Sequence, residues 1–181
     1  MNRKIILNLA ISLDGFIADE DGGFDWIKGD CDISHDTEHK FDFSEFVDSV
    51  DILVMGMKAY KDCPSETLKT FSSKTIYVAT HSKIESEYNN VKFISGDICD
   101  QILKLKEGEG KNVWIWGGAI LADQFIKANV IDEYIIGIIP LILGKGRSLF
   151  LENNPTIRLH LYESTTQEGV VILKYSKREL L

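Results

Sequence analysis

Asn112-Val-Trp-Ile-Trp-Gly-Gly-Ala-Ile-Leu-Ala-Asp-Gln124 is the stretch on which the reading of this chain turns. Val113–Trp116 is a short apolar run of strand formers, too brief for a helix. Gly117 and Gly118 break it, and Ala119–Phe125 then reads as the first turns of a helix with Ile120, Leu121 and Phe125 inward. A strand whose terminal glycines feed a helix exposes backbone N–H groups at the positive end of that helix. Such an end is a ready site for a phosphate or pyrophosphate. Lacking Cβ atoms, the two glycines also admit the close approach of a backbone or a flat ring. The same pattern serves equally as a tight turn in an α/β protein, so the rest of the chain decides.

The chain has 181 residues, 44% hydrophobic and 27% charged, which suits one globular domain spanning 1–181 with a full core. A net charge of −8 argues against a nucleic-acid or anionic-membrane surface as the main partner, and leaves room for a local basic pocket holding a small molecule. Cys31, Cys63 and Cys99 are odd in number and lack CxxC spacing, so neither a disulfide framework nor a zinc knuckle is suggested. A strand pattern begins at Lys4 without a signal peptide or a stretch of transmembrane length, and a cytoplasmic location is expected.

Ile5–Ile11 is nearly all apolar, as in a strand covered on both faces of a parallel or mixed sheet. A turn at Ser12–Gly15 and the return Phe16–Ala18 lead into the glycine-rich loop Asp19–Gly23. Trp26 follows. An aromatic there either covers a ligand or plugs the core, and the flanking glycines favour a lid. Ser34–Val50 reads as a helix with Phe43, Phe46, Val47 and Val50 on one stripe. Its start, His35-Asp-Thr-Glu38-His39, matches the H-x-x-E-H spacing of some zinc peptidases. A catalytic zinc needs a third protein ligand, which no downstream residue marks, so no metal is expected.

Asp51–Met55, Thr75–Ala79 and Val91–Ile94 are further strands. Gly56-Met57-Lys58 opens a short helix stopped near Pro64, and Asp97 or Asp100 caps another running through Leu105. Ile131–Leu143 is strand-like, the basic glycine-rich loop Gly144–Arg147 follows, and Leu159–Thr165 with Val170–Ser176 reads as a closing hairpin. Strands alternating with helices and then strands alone imply an α/β sheet, mostly parallel, with an antiparallel hairpin at its end.

The chain has no G-x-G-x-x-G, no complete P-loop, no G-x-S-x-G elbow and no zinc-deaminase pairing. What remains are three strand ends, at Gly56, Thr80 and Gly117. Ligands of open α/β sheets bind beyond the carboxyl ends of strands. Side by side, these ends would make a long anion-binding groove, with Lys58, His81, Ser82 and Lys83 supplying side-chain contacts.

At this point the residues resemble a known family. Ser12-Leu-Asp-Gly-Phe-Ile-Ala18, Val54-Met-Gly-Met-Lys-Ala-Tyr60 and Trp116-Gly-Gly-Ala119 are similar to the dihydrofolate reductase superfamily. Asp132-Glu133, Ile139-Pro-Leu-Ile-Leu-Gly-Lys-Gly146 and Leu149-Phe150 narrow the resemblance. They point to the reductase domain at the C-terminus of the bifunctional riboflavin-biosynthesis deaminase-reductase. The motifs span essentially the whole chain in matching order.

The resemblance implies a three-layer dihydrofolate-reductase-like fold and hydride transfer from NADPH to a heterocycle or ribosyl imine. The nearest assigned reaction is the reduction of 5-amino-6-(5-phosphoribosylamino)uracil. It places Ala10, Ile17 and Ala18 at the nicotinamide, Gly56, Met57 and Lys58 at the phosphates, and Thr80, His81, Ser82 and Lys83 at the adenosine ribose and its 2′-phosphate. Gly117, Gly118, Ala119, Ile120 and Leu121 would wrap the pyrophosphate, with a cis peptide between the glycines. The loop Ile17–Trp26 would close over the nicotinamide.

Two departures stand out. Met57 replaces the arginine usual in the family, which leaves NADH as the alternative cofactor. No acid aligns with the carboxylate that protonates pterin in the folate enzymes. Glu38 and Asp42 are the nearest candidates, each also readable as a solvated surface carboxylate, so folate reduction is the lesser reading. A non-catalytic nucleotide-binding protein of the same fold is the rival from another class. The apolar run Ile135–Leu143 would leave surplus surface for a homodimer, as in relatives of this reductase.

Overall fold

A computed structural model of the chain describes residues 3–82 and 84–178. In chain order the elements are β1 (Ile5–Ser12), β2 (Phe16–Ala18), α1 (Phe43–Asp48), β3 (Val50–Gly56), α2 (Met57–Asp62), α3 (Ser65–Thr70), β4 (Thr75–Ala79) and β5 (Val91–Ile94). They continue with α4 (Ile98–Lys106), β6 (Asn112–Gly117), α5 (Ala119–Lys127), β7 (Glu133–Ile139), β8 (Arg147–Ser148), β9 (Leu159–Gln167) and β10 (Val170–Lys177).

One eight-stranded sheet runs β5-β4-β3-β6-β1-β7-β10-β9. The neighbours from β5 to β7 pair in parallel, and β7, β10 and β9 pair antiparallel. Helices cover both faces, which is why the central strands are apolar at most positions on both faces, with Asn8 and Ser12 of β1 among the exceptions. Ile52, Val54, Val113 and Ile115 join α4 and α5 in one core through Ile98, Ile102, Leu121 and Phe125. Leu53, Met55 and Trp114 point the other way, onto Phe46 of α1 and Leu68 of α3. This is the three-layer α/β architecture expected, with its C-terminal antiparallel hairpin.

Local chemistry sets several boundaries. Asp97, rather than Asp100, caps α4 by accepting from the Asp100 N–H at 2.9 Å. Asn129, at φ 54°, ends α5 in the left-handed conformation common after helices. Pro140 stops β7, so the strand is shorter than the apolar run Ile131–Leu143. Ile135, Ile136 and Ile139 are buried within the chain itself, which reduces the surplus apolar surface of that run to Leu141 and Ile142.

Two expectations need correction. The helix expected over Ser34–Val50 exists only as α1; its cap is Asp42, whose Oδ1 accepts from Ser44 and Glu45 N–H at 2.8 and 3.0 Å. Residues 34–41 are instead tied to the closing hairpin. Thr37 N–H donates to the Thr166 carbonyl, and Glu168 N–H donates to Asp36. Bonds of this kind outbid a helix in a segment rich in Asp, Ser and Thr. The second correction is α3, absent from the sequence reading. Pro64 both ends α2 and opens the next helix, where its missing N–H costs nothing.

Candidate functional site

The sheet order settles how the three strand ends lie. β4, β3 and β6 are consecutive neighbours, so Ala79, Gly56 and Gly117 end side by side. Beyond them opens a cavity of about 1170 Å³. Gly56, Met57 and Lys58 line it from the start of α2, Thr80 and His81 from the end of β4, and Gly117 to Leu121 from the start of α5.

The Gly117–Gly118 peptide is cis, and Gly117 has φ +125°, a conformation that favours glycine. Gly118 caps α5 without any side-chain hydrogen bond. The first intrahelical bond there runs from Ala122 N–H to the Gly118 carbonyl, which leaves the N–H groups of Ala119, Ile120 and Leu121 without helical partners. Ile120, expected inward, is 73% exposed and belongs to the cavity wall.

The cavity continues around β6 to the opposite face of the sheet. Ala10, Trp114, Trp116 and Ile172 line this part, closed by Phe41 and Phe43. The rings of Trp114 and Trp116 lie 4.6 Å apart, and Phe71 packs edge-on to Trp116 at 5.3 Å. This compartment is flat-walled and apolar, suited to a planar ring.

Ile17 and Ala18 of β2 line a third side. β2 pairs with β8, and a Cβ on Gly146 would stand 2.3 Å from the Ala18 carbonyl oxygen, so only glycine permits this approach. The loop before β8 is pinned by Asp14, whose carboxylate accepts from Ser12 Oγ and from Leu143 and Gly144 N–H at 2.6, 3.0 and 2.8 Å. Those bonds, the Ser12 hydroxyl first, hold the Asp14 carboxyl down to about 2 from 3.8. A lowered folded pKa contributes stability that is complete above the unfolded value and vanishes as pH falls through the folded one. Asp14→Ala is therefore expected to be less stable than wild type at about pH 5, with the gap closing as pH falls from about 4 towards 2. Urea midpoints measured across that range check it.

Some expected residues lie elsewhere. Ser82 is exposed and off the cavity wall, its N–H donating to Thr80 Oγ1. Lys83 lies outside the described residues. Trp26 does not line the cavity; its indole N–H donates to the Gly23 carbonyl at 3.3 Å, and the neighbouring Phe24 and Ile27 line the wall instead. Glu38 and Asp42 are exposed and off the wall, Asp42 being occupied as the cap of α1. His35 and His39 lie outside any helix, so the one-turn spacing a zinc pair needs is lost, and among the described residues no group of three or more His, Cys, Asp or Glu is placed to hold a metal.

Several wall residues escaped the sequence reading, and three of them bear on the chemistry. Arg147 reaches across from β8 to Asp62, the one carboxylate on the wall among the described residues, at 3.6 Å. The sequence signal was the basic glycine loop, which carried no position. Cys63 also lines the cavity, and burial pushes its thiol up, which keeps it protonated and inert at neutral pH. The third is Asn8, the one amide in the apolar run of β1.

The chain matches the RibD C-terminal domain family over residues 60–173. The uncharacterized protein YwjB of Bacillus subtilis (strain 168) is 36% identical over 173 residues, covering 95% of this chain and 96% of that protein. A protein from Shewanella sp. PV-4 assigned to riboflavin biosynthesis superposes with a TM-score of 0.77 at 26% identity, over 97% of this chain and 99% of that one. The Thermotoga maritima diaminohydroxyphosphoribosylaminopyrimidine deaminase/5-amino-6-(5-phosphoribosylamino)uracil reductase gives 0.71 at 16% identity, over 98% of this chain and 57% of that one. Dihydrofolate reductase from Enterococcus faecalis, solved with NADP(H), gives 0.62 at 14% identity over 99% of both chains. The fold is thus dihydrofolate-reductase-like, and the chain belongs to the RibD C-terminal domain family.

Proposed function

We propose that this protein is an NADPH-dependent reductase that passes hydride to a small planar heterocycle or ribosyl imine. The nearest assigned reaction is the reduction of 5-amino-6-(5-phosphoribosylamino)uracil. One observation carries the reading: a single cavity joins a row of three strand ends, with free N–H groups at the start of α5, to a flat aromatic compartment on the other side of β6. The first part suits a pyrophosphate, and the second a ring to be reduced. Ala10 of the aromatic compartment, with Ile17 and Ala18 on the third side, suits the nicotinamide. The cofactor supplies the hydride; the protein binds, orients and excludes water.

Lys58, His81 and Arg147 are the basic groups on the wall among the described residues. With Met57 in place of an arginine, Lys58 and His81 carry the discrimination for the 2′-phosphate. Lys58→Ala is expected to weaken NADPH by roughly tenfold and NADH by less than about twofold, because only the former has that phosphate to lose. Titrations with both cofactors measure it.

The scarcity of acids on the wall favours one rival, a nucleotide-binding protein without turnover. Asp62 pairs with Arg147, so among the described residues no side-chain carboxylate is placed in the aromatic compartment to protonate a ring. Stereospecific oxidation of NADPH with any member of a panel of aminouracils, pteridines and folates supports the reductase. Saturable cofactor binding without turnover on the whole panel favours the rival.

A further inference from the structure

Asn8 is the unexplained polar group of the aromatic compartment. It sits in the middle of β1, in register with Ile135 of β7, and is only 9% exposed. Ile6, Asn8 and Ala10 share one face of the strand. Ile6 there packs with Trp114 and Ile135, and Asn8 lines the cavity beside Trp114 and Ile172. The Asn8 backbone carbonyl is used, accepting from the Trp114 indole N–H at 2.9 Å. Its side-chain Nδ2 is buried and has no hydrogen-bond partner.

Buried amides in native proteins are almost always paired, and an unpaired one is destabilising, so each exception calls for a partner. A carboxamide offers a donor and an acceptor side by side, and rotation about its last bond exchanges them without changing shape. Its complement is another amide edge, a ring –C(=O)–NH–, lying in the plane of the flat compartment. Both lactam heterocycles and the nicotinamide carboxamide present such an edge. The strand rise places Asn8 about 7 Å from Ala10, deeper among the aromatic walls, which favours the hydride acceptor over the nicotinamide.

We propose that Asn8 is the specificity-determining residue of the aromatic compartment, pairing with the lactam edge of a planar heterocycle that accepts the hydride. This rests on the reductase reading above and adds to it the feature of the substrate that is recognised. The site then selects rings that keep a free lactam N–H. It rejects their N-methylated forms, because methylation leaves both the Asn8 amide and the ring carbonyl poorly paired.

Isothermal titration of the full chain with lumazine (pteridine-2,4-dione) and with 1,3-dimethyllumazine tests this, alongside NADPH. Wild type is expected to bind lumazine at least tenfold tighter than the dimethyl form. Asn8→Leu, which keeps the branched shape and removes both polar atoms, is expected to lose that tenfold preference. It should keep NADPH affinity within about twofold and a Tm no lower than wild type, since a satisfied structural amide would lower it on removal. Asn8→Asp, which replaces the donor by an acceptor, should also lose lumazine and guards against a misfolded leucine variant. An undiminished preference in both variants overturns the proposal, as does no lumazine binding by wild type at millimolar concentration. A loss of NADPH with lumazine unchanged overturns it too, assigning the amide to the nicotinamide. Failure of NADPH to bind while lumazine binding depends on Asn8 instead removes the cofactor reading and leaves the recognition of the ring edge standing.

Discussion

Gly118→Val is expected to cut NADPH affinity by about a hundredfold, some 2.8 kcal/mol at 1.4 kcal/mol per decade, in a protein that stays folded. The backbone at Gly118 has φ −72°, open to any residue, and apart from its two chain neighbours no residue comes within 4 Å of where a Cβ would stand. The added side chain therefore meets no wall. It occupies instead the space in front of the Ala119, Ile120 and Leu121 N–H groups, where the pyrophosphate is assigned. Near-ultraviolet circular dichroism and the thermal midpoint report the fold, and a cofactor titration reports the site. Unchanged affinity in the folded variant would show that the α5 N-terminus is not where the phosphates bind.

Phe125→Ala should have the largest effect on stability. Phe125 is fully buried, on the inward face of α5 in the core shared with β1, β3 and β6. Truncating a buried phenylalanine costs about 3–5 kcal/mol through lost burial and the cavity left behind. Against a total of about 5–15 kcal/mol this is a large share. Ile120→Ala, on the same helix but 73% exposed, should stay within about 0.5 kcal/mol of wild type. Urea denaturation of the pair separates the face that holds α5 on the sheet from the face that meets the ligand. Equal effects at the two positions would mean that the helix packs differently from the arrangement described.

These two predictions concern the part of the molecule that its sequence displays best. The run Val113–Trp116 and the glycines after it define a strand, a break and a helix by local chemistry alone, and β6 and α5 follow it. Adjacency does not show in such patterns. That Gly56, Ala79 and Gly117 end in one row depends on the order β4-β3-β6, which is set by long-range pairing. The stripe Phe43, Phe46, Val47, Val50 suggested a helix reaching back to Ser34. Its first part is claimed by Thr166 and Glu168, more than a hundred residues along the chain. Trp26 stood out as the large aromatic of its loop, yet Phe24 and Ile27 face the cavity. Asn8 had a signal that could have been read: one amide in a strand otherwise apolar on both faces has to find a partner somewhere.

Cofactor binding in the cavity is tested most directly by titrating the protein with NADPH and with NADH, followed by tryptophan fluorescence. Trp114 and Trp116 line the cavity, so an occupant should quench them. Saturable quenching by both cofactors is expected, tighter for NADPH by roughly tenfold through Lys58 and His81. No saturable response to either cofactor would leave the family and the fold intact and contradict the reductase reading.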